Sequence, residues 1–415
     1  MIAEILATGD EIRSGALVDS NSAYIASTLE AAGVEVVRHS CVGDYPQSIV
    51  TILQEIASRS DVSVVTGGLG PTGDDLTAAA AAKAAGVEMV LDPLALDSVE
   101  TFFKAHQRPV SVSNKKQALL PAGADCLKNP VGTAPGFQLK IKQCVFFFLP
   151  GVPFEMQQML TNAVIPRLMK LQGKAESNRL VKTLSTFGLT ESSTAEHLAG
   201  FEGRFPHIKL GFRAKFPEIH VKLYISGSAK ERLHSQLEKA GHWVEQKLGN
   251  KVFSKTGESL EQTLGNLLRA QNATLAVAES CTGGLIADLV TNVPGSSDYF
   301  VFSAVTYANQ VKVKILGVAP EILDDYGAVS EETAKEMARG VKRVSGATYG
   351  LATSGIAGPG GATDGKPVGT ICIGIATPDS VTAHRYNFTF DNRRMNKRIF
   401  AAMALELLRR KLLAT

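Results

Sequence analysis

The run Ala278-Glu279-Ser280-Cys281-Thr282-Gly283-Gly284 stands between a short apolar stretch, Ala273 to Ala278, and Leu285 to Val290, where apolar residues take up helical spacing. The order is strand, turn, helix, which makes the surrounding region α/β. The backbone N–H groups that open a helix have no internal partners and carry the positive end of its dipole, so such a turn can hold an oxyanion or a phosphate. Ser280 or Thr282 could attack an electrophile there, while Gly283 and Gly284 let a substrate come close to the backbone. Taken alone, the same residues also describe a Ser/Thr N-cap on a cramped glycine turn.

The chain downstream adds the partners that a nucleophile needs. Ser303 to Lys312 ends a strand and begins a helix, and a helical turn starting near Asn309 would aim Tyr307 and Lys312 toward one strand end. Tyr349–Thr353 reads as a strand leading into the loop Ser354 to Gly361, Gly369–Ala376 as another strand, Ser259–Ala270 as an opening helix and Arg393–Leu408 as a basic amphipathic helix. None of these motifs contains a histidine, so a serine here needs a different base; a desolvated lysine can be neutral enough to serve. No carboxylate cluster appears in the motifs from Ala278 to Arg398, which predicts that this region works without a metal or other cofactor. The cluster Arg393-Arg394 with Lys397-Arg398 could bind a single phosphate without forming a nucleic-acid groove.

The first region alternates strands (Ile2–Ala7, Val34–His39, Val62–Val65, Cys144–Leu149) with helices (Ser22–Ala32, Pro46–Ser58, Leu76–Ala85), and this predicts a three-layer, doubly wound parallel sheet covered on both faces. Ligands gather at the carboxyl ends of such strands. The turns there are Thr8-Gly9-Asp10-Glu11, followed by Asp19-Ser20-Asn21, and Thr66 to Asp75 with Gly67, Gly68, Gly70 and Gly73. Glycines admit a phosphate to the backbone, and Asp10, Glu11, Asp74 and Asp75 are hard oxygen donors suited to a divalent cation. Together they suit a pyrophosphate carried on a metal.

Between Lys170 and Thr256 the character changes. A polar linker, Leu171 to Asn178, precedes strand-like runs Arg179–Phe187 and Glu218–Ile225, a helical segment between them, and Lys230–Leu248. This is a small α+β unit. Gly200-Phe201-Glu202-Gly203 spells a GxxG, but Glu202 places a negative charge where a nucleic-acid phosphate would sit, so nucleic acid is not the expected partner.

Composition bounds the rest. The 415 residues allow two or three domains, and 45% hydrophobic with 20% charged residues is ordinary for a globular protein. A net charge of +3 implies no polyanion partner. Cys41, Cys126, Cys144, Cys281 and Cys372 are scattered without metal-ligand spacing, which points to reduced thiols and a cytoplasmic location. The chain opens as a strand rather than as a signal peptide, and its longest apolar run, Cys144 to Leu149, is too short to span a bilayer, so no membrane is expected.

Thr8 to Glu11, Thr66 to Asp75, Ser113 to Ala118, Gly132 to Phe137 and Leu149 to Met156 resemble the amino-terminal, molybdopterin-binding-like domain of CinA proteins. The middle unit resembles their KH-type domain. Ala278 to Gly284, Tyr307 to Lys312, Gly327 to Ser330, Ser354 to Pro359, Lys366 to Thr370 and Asn392 to Arg398 resemble their carboxy-terminal domain, which also occurs alone as nicotinamide-nucleotide amidase. The resemblance implies domains over 1–170, 171–256 and 257–415, in a homodimer. For the last domain it implies deamidation of nicotinamide mononucleotide, with Ser280 as nucleophile, Lys312 as base, Tyr307 as proton relay, and Thr282, Gly283, Ser354, Gly355 and Arg398 around the substrate. Gln310 stands where such domains often carry glutamate. For the first domain it implies metal-dependent hydrolysis of ADP-ribose, with Thr8, Gly9, Gly67, Gly68, Thr72, Asn114, Pro150, Gly151 and Glu155 at the substrate and Asp10, Glu11, Asp74 and Asp75 at the metal. The alternatives are a pterin-binding protein and a competence-associated scaffold without turnover.

Overall fold

Ala3 to Thr8 are buried without a break, so β1 (Ile2–Thr8) has to lie inside a sheet with both faces covered. Parallel neighbours β2 (Glu35–Val42) and β3 (Val62–Thr66) flank it, and β4 (Met89–Leu91) pairs with β5 (Leu119–Pro121) in a separate two-stranded ribbon. With β6 (Asp125–Leu127), β7 (Gly136–Ile141) and β8 (Cys144–Leu149), the main sheet runs β2-β1-β3-β8-β7-β6. The β8 strand is parallel to β3, whereas β7 and β6 are antiparallel, so the sheet is mixed rather than wholly parallel. Leu6, Val65, Phe146 and Phe148 pack on one face against helices Pro46–Arg59 and Thr77–Ala85. Ile5, Val64 and Phe147 pack on the other against helix Ser20–Ala31 and Met156. These are the three layers expected for the first domain.

The computed structural model describes residues 1–172, 178–227 and 229–414; the linker positions 173–177 lie outside the described residues. The chain divides into two units, Met1–Leu180 with Ser226–Lys230 and Val181–Ile225 with Glu231–Thr415.

The second unit opens with the small α+β domain: β9 (Asn178–Phe187), β10 (Lys209–Lys215), β11 (Glu218–Gly227) and β12 (Val252–Ser254), in sheet order β10-β11-β9-β12 under helix Lys230–Leu248. In the GxxG, Phe201 is buried with its ring 5.7 Å from that of Trp243. This domain packs on the last one: Phe187 and Phe253 share a core with Leu260 and Leu264, and Phe216, at the β10–β11 turn, lies edge-on to Phe390 with ring centroids 5.1 Å apart.

The last domain has a five-stranded sheet of β13 (Leu275–Glu279), β14 (Phe300–Val305), β15 (Tyr349–Gly355), β16 (Thr370–Ala376) and β17 (Val381–Asn387), ordered β14-β13-β15-β16-β17. The β13 strand is parallel to both neighbours; β16 and β17 run antiparallel. Helix Glu331–Ser345 covers one face through Met337, Ala338 and Val341, and helices Leu260–Ala270 and Arg393–Ala414 cover the other. The last helix buries Phe400, Ala401, Ala404, Leu405 and Leu408, so past its basic first turns it is a core element. Among the described residues no helix is long and apolar enough to cross a membrane.

Candidate functional site

At the end of β13 the buried Glu279 turns its carboxylate onto the helix that follows. It accepts N–H bonds from Gly284 (3.0 Å), Ile286 (3.1 Å) and Ala287 (2.9 Å), at the start of helix Leu285–Thr291. The helix-opening donors expected to hold a ligand are therefore already occupied. Gly283, at φ 61°, donates its N–H to the Ser280 carbonyl at 3.1 Å and closes the turn. Among the described residues the N–H of Thr282 donates to no backbone acceptor, and that of Cys281 meets only its own thiol.

Ser280 faces Lys312. The helix Asn309–Leu316 turns Lys312 inward, leaving it 1% exposed, and its Nζ lies 3.4 Å from Ser280 Oγ, 3.0 Å from the Thr306 carbonyl and 3.0 Å from the Tyr307 carbonyl. No carboxylate is among those partners, and burial pushes the amine's pKa down from its ordinary value. The two backbone carbonyls orient the amine, while Gln310 is exposed and takes no part in that.

Other hydroxyls and thiols nearby are engaged or inert. The Thr282 hydroxyl is fully buried and bonds that of Thr353 at 2.8 Å. The Cys281 thiol is pushed up to about 12, above all by burial. Ser354 donates to the Ala328 carbonyl, tying the Gly327–Ser330 turn to β15. A Cβ on Gly355 would stand 2.5 Å from the Thr370 carbonyl and 3.2 Å from Cys281 Sγ, so close packing behind the turn requires glycine there.

Tyr307 is exposed, and its hydroxyl accepts from Arg393 Nη2 at 3.2 Å; Nη1 of the same arginine donates to the Gly358 carbonyl at 2.6 Å. Lys397 reaches the turn from above, its Nζ 3.2 Å from where a Gly283 Cβ would be. Arg398 is not brought there. It lines a separate cavity with Phe216, Leu260, Leu285 and Leu289. Helix phase explains the difference: residues four apart share a face, and the next residue is rotated by about 100°. Arg393 and Lys397 are four apart and share one face, as Arg394 and Arg398 share the next, so the spacing pairs the four residues without saying which pair meets the turn.

In the first domain a cavity of about 400 Å³ opens at the carboxyl ends of β1, β3 and β8. Thr8, Gly9, Glu11, Gly67, Gly68, Asp74, Asp75, Pro150, Gly151 and Glu155 line it, and so do Asp19, Asn21, Asp44, Gln117 and Thr133. Gly68, at φ 65°, leaves no room for a side chain: a Cβ would stand 2.1 Å from Thr77 Oγ1. Three of the expected residues are spent locally and do not line the cavity. Asp10 pairs with Arg13 at 3.0 Å, the Thr72 hydroxyl bonds Asp74 and Asp75, and Asn114 forms a capping box with Ser111. Among the described residues no group of three His, Cys, Asp or Glu converges to hold a metal ion.

Asp44, which sequence reasoning missed, accepts the Asp10 N–H at 3.0 Å; burial, and then its neighbours Asp10, Glu11 and Asp74, push its carboxyl up. Burial also raises Glu155, against the Asn129 amide that bonds it at 2.7 Å. The Thr72 hydroxyl holds Asp74 below the usual carboxylate range. Asp44 had a signal of its own: it follows Gly43 at the end of a strand adjoining β1.

Comparison with known proteins agrees with the three domains seen here. Residues 4–170 match the probable molybdopterin binding domain, 181–254 the damage-inducible protein CinA KH domain and 257–412 the CinA C-terminal domain. A CinA-like protein of Desulfosudis oleivorans is 55% identical over 413 residues, covering 100% of both chains. The chain belongs to the CinA-like proteins. Another of these, from Desulforapulum autotrophicum, is 47% identical over 99% of this chain and 98% of its own. Among solved structures, the competence/damage inducible protein CihA of Agrobacterium tumefaciens is 35% identical, covering 38% of this chain and 97% of its own, at a TM-score of 0.36. In this CinA-like chain the pair Ser280 and Lys312 thus lies in the CinA C-terminal domain, and the acidic cavity in the molybdopterin-binding-like one.

Proposed function

We propose that the last domain is an amidase that converts nicotinamide mononucleotide to nicotinate mononucleotide and ammonia. The observation that carries this reading is the buried Lys312 amine beside Ser280, with backbone carbonyls and no carboxylate around it. A neutral amine has two N–H donors and one lone pair. The Thr306 and Tyr307 carbonyls take the donors, which aims the lone pair at the Ser280 hydroxyl. Lys312 removes that proton as Oγ attacks the carboxamide carbon, and the tetrahedral oxyanion is met by the N–H groups of Cys281 and Thr282. The C–N bond breaks as Lys312 returns the proton to the leaving nitrogen, giving ammonia and an acyl-serine. Water then attacks the ester with Lys312 again as base, releasing the acid and restoring the serine. Arg393 and Lys397 supply positive charge for the substrate phosphate, and Tyr307, bonded to Arg393, belongs with that end rather than with a proton relay.

A pH profile and three variants test these roles. Since the base has to be neutral, kcat should fall as pH drops through the lowered lysine pKa and level off at a pH below its ordinary value of 10.5. Lys312→Arg, which keeps the charge but cannot give up its proton, should lose about 10²–10⁴-fold in rate; full activity in that variant would leave Lys312 with only a charge role. Arg393→Ala should raise KM for nicotinamide mononucleotide by about tenfold or more, the worth of a charge-assisted hydrogen bond. Arg398→Ala should leave KM within about twofold, because a group outside the site contributes little. The opposite ranking would return Arg398 to the substrate.

A second reading, for the first domain, is metal-dependent hydrolysis of ADP-ribose to AMP and ribose 5-phosphate. It is supported by a cavity lined by six carboxylates (Glu11, Asp19, Asp44, Asp74, Asp75 and Glu155) and, among the described residues, by no lysine or arginine. A diphosphate would be repelled from such a place unless cations came with it. The absence of a three-residue cluster fits a cation held mostly by substrate phosphates and one or two carboxylates, for which Glu11, Asp44, Asp74 and Asp75 are available. Such a cation would neutralise the phosphate oxygens and polarise phosphorus. The chain's own residues admit the diphosphate over Gly67 and Gly68, and Glu155, with its raised carboxyl, suits taking the proton of the attacking water.

A further inference from the structure

The middle domain takes no part in either proposed reaction, yet one of its hairpins bears on the amidase site. Strands β10 and β11 are joined by the two-residue turn Phe216-Pro217, closed by Lys215 opposite Glu218. Such turns usually carry glycine, asparagine or aspartate. Here the tip presents an aromatic ring, which is unfavourable in water unless something covers it. The cover comes from the last domain: the Phe216 ring stands edge-on to Phe390, at 88° with centroids 5.1 Å apart, a favoured geometry for two rings. Phe390 lies in the short connection 388–392 between β17 and the last helix, three residues before Arg393. Past Phe388, which packs on Phe400, every residue of that connection except Phe390 is exposed, so the Phe390 ring is its last apolar anchor ahead of the arginine. The Phe390 carbonyl accepts from Nδ2 of the buried Asn396 at 2.9 Å, and the same nitrogen donates to the Ala357 carbonyl at 3.1 Å. Ala357 adjoins Gly358, whose carbonyl takes Nη1 of Arg393. Phe216, Phe390, Asn396 and the 357–358 loop are thus successive links, and the Arg393 guanidinium is the last.

We propose that Phe216 of the middle domain is a positioning residue for the amidase: by bracing Phe390 it holds the Arg393 guanidinium where the substrate phosphate arrives, and so favours the nucleotide over the nucleoside. This rests on the reading of the last domain as an amidase of nicotinamide mononucleotide with Arg393 at the phosphate. An exposed arginine at the start of a helix has backbone and side-chain freedom that binding must remove, and a brace set in advance reduces what is left to order. Nucleotide and nucleoside differ by the phosphate alone, so what Phe216 does through Arg393 is felt only by the nucleotide. Ser280 and Lys312 have supports of their own. The Ser280 N–H donates to the Thr353 carbonyl at 3.0 Å, and Lys312 is held by the Thr306 and Tyr307 carbonyls, so the chemical step does not depend on the hairpin.

The test uses the full chain. Ammonia release is measured from nicotinamide mononucleotide and from nicotinamide riboside, and nicotinate mononucleotide is titrated calorimetrically as a readout that needs no turnover. Phe216→Ala should raise KM for nicotinamide mononucleotide about threefold to tenfold, a share of the loss expected for Arg393→Ala, with kcat within about twofold and kcat/KM for the riboside unchanged. Phe216→Leu, which keeps an apolar body at the tip, should recover most of that loss. The tip borders a cavity of about 100 Å³ together with Leu260 and Ala402, so truncating Phe216 widens existing space rather than opening a void in a core. Phe390→Ala approaches the same contact from the other side and should reproduce the KM effect. Added to Arg393→Ala, Phe216→Ala should raise KM no further, because the two act through one group. An unchanged KM in Phe216→Ala, an equal loss with the riboside, or a further rise on top of Arg393→Ala overturns the positioning role while leaving the amidase reading in place. If the wild type releases no ammonia yet binds nicotinate mononucleotide, and Phe216→Ala weakens that binding, the amidase reading falls and the positioning role stands. Without turnover, binding that Phe216→Ala leaves unchanged, or no binding at all, removes both.

Discussion

Ser280→Ala should lower ammonia release from nicotinamide mononucleotide by about four orders of magnitude or more, the scale seen when a covalent nucleophile is removed. No neighbour can stand in for it. The Thr282 hydroxyl is sealed against Thr353, and the Cys281 thiol, held at about 12 by burial, stays protonated at working pH. The fold should hardly notice the change. Ser280 Oγ has the Lys312 amine as a long partner at 3.4 Å, and Lys312 keeps its two carbonyl bonds without it, so thermal unfolding should shift by no more than about 1 kcal/mol in stability. ADP-ribose hydrolysis in the same preparation should be unchanged, which controls for misfolding. Near-normal ammonia release from the alanine variant would remove Ser280 from the chemistry.

Chelation should separate the two reactions. A chelator should suppress ADP-ribose hydrolysis by roughly 10³-fold, the range expected when several kcal/mol of charge stabilisation are withdrawn from a phosphoryl transition state. Ammonia release measured in the same tube should continue, because the proposed reaction uses only Ser280, Lys312 and backbone groups. Asp74→Asn with Asp75→Asn should reproduce the chelator's effect, and Asp44→Asn should weaken the dependence on added cation. Loss of both activities on chelation would point to one shared site or a structural metal. Survival of ADP-ribose hydrolysis would leave the acidic cavity without the role given to it.

What could be read in the sequence follows from where the physics is local. Strand β8 is a continuous apolar run, β1 and β3 are apolar but for Glu4, Ser63 and a closing threonine each, and the glycine turns after them stand out because few residues can take such backbone. The antiparallel pair β7 and β8 gave no such warning. The hairpin between them turns through Lys142 at φ 53° and Gln143, with no glycine or asparagine to mark it. The strand β10 buries no residue fully, with only Leu210 to Phe212 half-buried between exposed positions, so it lacks an apolar run altogether. At the last-domain site, the spacing from Tyr307 to Lys312 was enough to bring the lysine to Ser280, because one short helix carries it there. Choosing among four basic residues on the last helix needed its rotational phase, which only packing sets. In the first domain, Asp10, Thr72 and Asn114 looked like ligands because short-range caps and turns use the same residue types as binding loops; only the folded contacts show that their hydrogen bonds are spent at home.

If the last domain is the proposed amidase, Glu279 does more than order the turn that carries Ser280. Deamidation replaces a neutral carboxamide by a carboxylate at the spot where the oxyanion stood. Were the positive pole of helix Leu285–Thr291 free, it would hold that new anion and slow its departure. Instead the pole is already taken up by the Glu279 side chain, which accepts from Gly284, Ile286 and Ala287. In the proposed reaction the transient oxyanion would be met by two backbone donors, while the finished acid would find no open helix pole to retain it. On the amidase reading, the charge of Arg393 and Lys397 would act on the phosphate, which substrate and product have in common, so the protein would grip both at the same handle while the helix pole behind the reacted end stays closed.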